Sequence, residues 1–185
     1  MIRPLLLLAF LLHGGFVGYQ AIAADQQAIQ VFGYEDEDFG VSPTATPKQA
    51  PYHANTPLDI PGGKRILTQE LKKMLEGEPK PIVIDVLGSK ERFTVPGAIW
   101  MKGAGDGNFF GAEKSRFSSA LQALAGGDSK RALVFLCFDR QCWLSYNAAL
   151  HAIEAGYKNV YWYRGGTRAW EGASLKTEKT QAFNW

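Results

Sequence analysis

The chain has 185 residues, of which 46% are hydrophobic and 21% charged, and its formal net charge is +2. That length suits one globular domain with a sizeable core, and so small a charge excludes a dedicated nucleic-acid or anionic-membrane surface. The two cysteines, Cys137 and Cys142, make redox state the central chemical question.

The first residues are expected to direct the chain rather than fold. Met1-Ile2-Arg3-Pro4 is a short positive region, residues 5–12 are a continuous apolar run, and Ala21-Ile22-Ala23-Ala24 offers small residues for a peptidase. The run is shorter than the roughly 20 apolar residues a spanning helix needs. The pattern predicts a secretory signal over residues 1–24, cut near Ala23 or Ala24, with no membrane association afterwards. Loss of Arg3 lowers the net charge by one. Export would place both cysteines in an oxidising compartment.

Residues 25–65 are predicted to be an irregular arm. They hold an acidic aromatic patch (Tyr34-Glu35-Asp36-Glu37-Asp38-Phe39), then a Pro/Thr/Ala stretch over residues 42–51, then Pro57 and Pro61-Gly62-Gly63. So many prolines oppose a helix or central strand. Such a segment either wraps its domain, stays disordered, or docks a partner.

Periodic structure begins at Ile66. Thr68 is placed to cap a helix over residues 69–75. Residues 82–86 (Ile-Val-Ile-Asp-Val) form a β-branched run suited to a strand buried on both faces. A turn at Val95-Pro96-Gly97 precedes a second apolar run over residues 98–101. Residues 103–111 read as a loop; the third glycine of a dinucleotide fingerprint would fall on Asn108. Residues 115–124 are helical in pattern. Residues 132–136 form another buried-type strand that runs directly into Cys137. An amphipathic helix starts near Cys142, with Leu144, Ala148, Ala149, Ala152 and Ile153 as its apolar side and Gly156 at its end. Residues 160–163 form a last strand, and Gly165-Gly166 opens a helical turn over residues 167–170. This alternation predicts an α/β fold with a mainly parallel central sheet flanked by helices on both faces. The domain spans residues 66–178, and residues 179–185 form a tail.

Chemistry concentrates in Cys137-Phe138-Asp139-Arg140-Gln141-Cys142-Trp143. A cysteine at the carboxyl end of a parallel strand, followed at once by a helix, stands where such folds bind ligands. Helix amides aimed at that position favour a thiolate, the reactive form of the residue. The alternative is an inert buried cysteine that packs as a small hydrophobe. The short loop can also bring the two sulfurs together, because a disulfide needs Cα atoms about 4.4–6.8 Å apart. A reversible bond would be a thiol–disulfide switch or resolve a persulfide; a permanent one would be a staple. Trp143 stands where a C-x-x-C-H haem site needs histidine. The histidines left after signal removal, His53 and His151, form no metal cluster with the cysteines, so no metal is expected. His151 is expected on the helix surface. Asp85 is expected in a structural, hydrogen-bonding role. Tyr161, Trp162 and Tyr163 are expected to pack around the sheet.

Several of these segments together resemble a rhodanese domain. Its carboxyl half is visible in residues 133–137, in Gly156-Tyr157-Lys158-Asn159-Val160-Tyr161 and in Gly165-Gly166-Thr167-Arg168-Ala169-Trp170. Its amino half is visible in Ile84-Asp85-Val86 and Val95-Pro96-Gly97-Ala98-Ile99. The resemblance implies that Cys137 carries sulfane sulfur as a persulfide between a small sulfur or thiol donor and its acceptor; no other cofactor is implied. Cys142-Trp143, the following Ser145-Tyr146-Asn147-Ala148-Ala149, and Val160-Tyr161-Trp162-Tyr163 before the Gly-Gly-Thr turn resemble a narrower family. These are the exported rhodanese-like proteins with a two-cysteine-Trp (CXXCW) motif associated with PQQ-dependent alcohol catabolism. That resemblance implies a periplasmic protein working beside a quinoprotein dehydrogenase system. The four residues between the cysteines exceed that motif's spacing.

The loop also departs from ordinary rhodaneses. Their arginine five positions after the cysteine is replaced by Cys142, no glycine stands between the cysteines, and Asp139 opposes a thiolate that Arg140 only partly supports. Trp143 likewise replaces the arginine of the related phosphatase loop. Two functions remain from the residues and the resemblance together: sulfur transfer or thiol–disulfide exchange at Cys137 with Cys142, or an inactive rhodanese-fold binding module for a periplasmic dehydrogenase or its transporter. A cysteine-dependent metal or cofactor carrier is a weaker third.

Overall fold

The computed structural model describes residues 30–185. The expected signal segment, residues 1–24, and the first residues of the arm lie outside the described residues. Among the described residues no helix is long and apolar enough to cross a membrane.

In chain order the elements are β1 (Lys64–Ile66), α1 (Thr68–Glu76), β2 (Ile82–Asp85), β3 (Arg92–Thr94), β4 (Ile99–Trp100), α2 (Gly111–Leu124), β5 (Leu133–Leu136), α3 (Trp143–Glu154), β6 (Val160–Tyr163), α4 (Gly166–Gly172) and β7 (Glu178–Thr180). Five strands form one parallel sheet in the order β1-β6-β5-β2-β4. The β-branched and aromatic runs make its centre because both faces are covered. Alternation along each strand divides the side chains between two cores. Leu133, Phe135, Val160 and Trp162 pack with Phe117 and Leu121 of α2 and with Tyr146 and Ala149 of α3. Val134, Leu136, Val83 and Tyr163 pack with Leu71 of α1 and with Ala169 and Trp170 of α4. The expected α/β architecture, with helices on both faces, is the one observed.

Several boundaries differ from the expectation, each for a tertiary reason. The irregular segment ends sooner, because Lys64–Ile66 pairs with Tyr161–Tyr163 as the edge strand β1. Thr68 does not cap α1 but is its first residue, with Leu67 at the cap. Its hydroxyl instead donates to Glu35 at 2.8 Å. That uses its only proton, so Tyr163 donates to Thr68 Oγ1 at 2.7 Å. Helix α2 starts at Gly111, a turn before Ser115. The expected tail opens with β7, antiparallel to β3, and continues across the core, where Trp185 packs edge-on against Phe117. A three-residue ribbon carries too little periodicity to be seen in sequence.

At the carboxyl edge of the sheet Asp85 is fully buried. One carboxylate oxygen accepts from Arg92 Nε at 2.6 Å and Thr94 Oγ1 at 2.5 Å; the other accepts from the Leu87 amide at 3.0 Å. Arg92 also donates to the Cys137 carbonyl at 3.3 Å and to Thr167 Oγ1 at 3.2 Å. The pair therefore ties β2, β3, the end of β5 and α4 together. This is the structural role expected of Asp85.

The arm wraps the domain as an ordered layer. Two polar residues inside α3 hold it. Tyr146 accepts from the Thr44 amide at 3.0 Å and donates to the Thr44 carbonyl at 2.8 Å. Asn147, fully buried, does the same for Lys48 at 2.9 and 2.8 Å and also donates to Gly105. Both side chains present a donor and an acceptor to one arm residue, as a neighbouring strand would. His151 is a correction: it is 5% exposed rather than on the surface. Its Nε2 meets the Asp106 carbonyl at 2.8 Å and its ring stacks on Phe109 at 4.4 Å. Burial is the main reason its pKa is lowered. At the arm's start, Glu35 is fully buried and accepts from the Thr68 amide at 2.9 Å. Burial pushes its carboxyl up, against the opposing hydrogen bonds from Thr68 and Phe32.

Two outcomes are expected. Asp85→Ala leaves Arg92 buried without its partner, which costs about 3–5 kcal/mol in urea unfolding. For Glu35 the raised folded pKa means that the folded state holds its proton longer than the unfolded chain does. Stability therefore falls as pH rises from the ordinary value of 4.5 through the folded one. Glu35→Gln removes that slope, so urea midpoints at acid and neutral pH converge in the variant.

Candidate functional site

Strand β5 ends at Leu136, and Cys137 follows it at the sheet's carboxyl edge. Five positions later Cys142 occupies the N-cap of α3. The two cysteines form a disulfide with their Cα atoms 6.2 Å apart. Cys137 is fully buried and Cys142 is 7% exposed.

The loop between them closes on itself. Asp139 accepts from the Gln141 amide through its carboxylate at 2.9 Å and from the Cys142 amide through its carbonyl at 3.1 Å. Those amides are therefore not free to cradle an anion. The loop's outer side is fixed by α4: the amides of Thr167 and Arg168 donate to the carbonyls of Cys137 and Phe138 at 3.1 and 2.9 Å. Gly166 allows this approach. It has a φ of +60°, and a Cβ there would lie 2.6 Å from the Phe138 carbonyl carbon and oxygen. Phe138 is 40% exposed, with the Arg168 guanidinium 6.0 Å from its ring centroid.

The remaining predicted residues face the arm. Arg140 pairs with Glu37 at 2.8 Å, donates to the Gly33 carbonyl at 3.1 Å and lies against the rings of Tyr34 and Phe39. Gln141 donates to Asn55 at 2.8 Å. Trp143 is buried; its indole donates to the Asn55 carbonyl at 3.1 Å and its amide to the Tyr52 carbonyl at 2.9 Å. The Ala54 amide donates to the Gln141 carbonyl at 2.9 Å, so His53 and Cys142 face each other as an isolated antiparallel bridge. The first amide of α3 thus meets a carbonyl of the chain itself, where a ligand anion would otherwise sit.

Several residues that shape this site were not legible in the sequence. Thr56 donates to the Arg140 carbonyl and accepts from Arg164 Nε at 2.9 Å. Arg164 is 1% exposed and also donates to the Glu35 carbonyl at 2.9 Å. Its pKa is pulled down to about 10, first by burial and then by the charges of Arg65 and Arg140. An arginine directly after β6 was the one available signal for it. Tyr52, His53 and Asn55 carried none, because their meaning depends on where a proline-rich segment crosses the domain.

Among the described residues no group of His, Cys, Asp and Glu could hold a metal ion. Cavities of about 440 and 520 Å³ lie elsewhere; Phe109, Lys114 and His151 line the first, and Lys72, Lys80 and Trp170 the second. The site is thus a buried disulfide in a loop whose Gln141 and Cys142 amides are already bonded to Asp139.

A search of curated proteins finds none that matches the chain. Among solved structures, the chain is similar to the rhodanese-like domain of an Anabaena sp. protein (21% identity, 68% of this chain and 90% of that one, TM-score 0.48). It is also similar to the polysulfide-sulfur transferase homodimer of Wolinella succinogenes (19% identity, 63% and 79%, TM-score 0.44). A third similar structure is the thiosulfate sulfurtransferase of Pseudomonas aeruginosa (20% identity, 65% and 21%, TM-score 0.48). Residues 67–173 match the family described as Rhodanese-like domain. With its five parallel strands, its strand-end Cys137 and most of its length within that match, the chain belongs to the rhodanese-like domain family.

Proposed function

We propose that this protein is an exported thiol–disulfide exchange protein in which Cys137 and Cys142 cycle between disulfide and dithiol. The observation that carries this reading is the bond itself: it joins the strand-end cysteine of a rhodanese-like domain to the first position of the following helix. Asp139 occupies two of the loop's amides, those of Gln141 and Cys142, which favours exchange over transfer of sulfane sulfur. Cys142 is the less buried of the two, so an incoming thiolate meets it first and Cys137 leaves. A persulfide on Cys137 is the alternative use of the same pair, with Cys142 resolving it. Phe138, Asp139, Arg140, Gln141 and Trp143 shape the approach.

The signal segment and the Cys142-Trp143 resemblance support a periplasmic setting beside a PQQ-dependent quinoprotein dehydrogenase system, whose small thiol or dithiol partner would be the substrate. One observation favours a second reading, an inactive accessory module: both cysteines are buried, and arm residues 52–54 pair with the loop that holds them.

The test is the reduction potential of the pair, measured in a dithiol buffer and paired with serine variants. Exchange requires a potential well above about −300 mV; a value below that marks a staple and favours the accessory module. Closing so short a loop stabilises the fold by only about 2 kcal/mol. Cys137→Ser and Cys142→Ser therefore stay folded by circular dichroism, and both lose dithiol oxidation.

A further inference from the structure

We propose that the arm supplies a catalytic group to this site: the imidazole of His53 is the general acid–base for exchange at Cys142. The inference rests on the thiol–disulfide reading above. Its basis is the local pairing of arm and loop. Trp143 donates its amide to the Tyr52 carbonyl, and Ala54 donates its amide to the Gln141 carbonyl. These two bonds flank the bridge between His53 and Cys142. The two residues are therefore a non-hydrogen-bonded antiparallel pair. In such a pair the Cα atoms lie about 4.5 Å apart and the side chains stand on the same face. The backbone alone thus sets the His53 side chain beside that of Cys142.

Exposure fits the role. Cys142 is nearly covered, whereas His53, its partner across the bridge, is exposed to solvent and open to water. Imidazole is the side chain most often used as a general acid–base. The other charged groups around the pair are otherwise engaged. Asp139 accepts from the Gln141 amide, Arg140 pairs with Glu37, Lys48 lies over the Trp143 ring, and Asp106 accepts from Tyr52.

The step balances with a dithiol as co-reactant. Its first thiol gives a proton to His53, and the thiolate attacks Cys142 Sγ. The Cys137–Cys142 bond breaks, and Cys137 leaves with the electron pair as a thiolate. The second thiol loses its proton to Cys137 and attacks the mixed disulfide, closing the co-reactant's own disulfide. Cys142 is expelled as a thiolate and takes back the proton held by His53. The dithiol is oxidised by two electrons and the protein pair reduced by two.

The experiment follows reduction of the purified chain by dithiothreitol, counting thiols with time, in wild type, His53→Ala and His53→Gln. Both variants are expected to slow the rate by about a hundredfold, the lower end of what a positioned acid–base group contributes. Added imidazole restores the rate of His53→Ala and leaves wild type unchanged. The reduction potential stays the same in all three, since a catalyst moves the rate and not the equilibrium. A rate within about twofold of wild type in either variant overturns the assignment, because losing a positioned acid–base group costs far more. So does failure of imidazole to rescue His53→Ala, which would mark a structural role. A wild-type disulfide that dithiothreitol cannot reduce sinks the exchange reading itself, and this inference with it.

Discussion

The buried pair of Asp85 and Arg92 is the interaction on which the site depends. Charges removed from water are tolerated only when each is paired and its remaining hydrogen-bonding capacity met. Thr94, the Leu87 amide, Thr167 and the Cys137 carbonyl meet it here. The last of these contacts matters most for function. It fixes the main chain of Cys137 at the sheet edge from one side, while the amide of Thr167 fixes the same carbonyl from the other. These bonds hold the backbone of Cys137, and the disulfide joins its side chain to Cys142.

The arm solves a related problem. Helix α3 carries Tyr146 and Asn147 among apolar residues, and burying both without partners would be costly. The chain's own segment around Thr44 and Lys48 satisfies them. Its next stretch pairs with the disulfide loop, and its acidic aromatic patch lies on Arg140 and Arg164. The arm is thus a third layer of the domain. It pairs with the backbone of the disulfide loop.

This arrangement also accounts for the loop's departures from other rhodanese-like domains. A loop that must cradle an anion needs free amides and benefits from glycine and arginine. Here Asp139 occupies two of the amides and Cys142 stands in place of the arginine.

The parallel sheet, its flanking helices and the position of Cys137 were legible in the residues. Buried strands are uniform apolar runs, and βα alternation leaves few other topologies. The loop from Cys137 to Trp143 was equally visible, because one cysteine ends a strand and the next opens a helix. The sequence could not say whether the sulfurs are joined, since that depends on a few ångströms of loop geometry. Nor could it show that His151 is buried, that Thr68 serves Glu35 and not its own helix, or that the segment holding Lys64 already belongs to the sheet. Each of these turns on a partner far away in the chain, and local periodicity carries no information about such partners. The placement of Tyr52, His53 and Asn55 over the disulfide is of the same kind: composition marks their segment as irregular, and only tertiary hydrogen bonds decide what an irregular segment crosses.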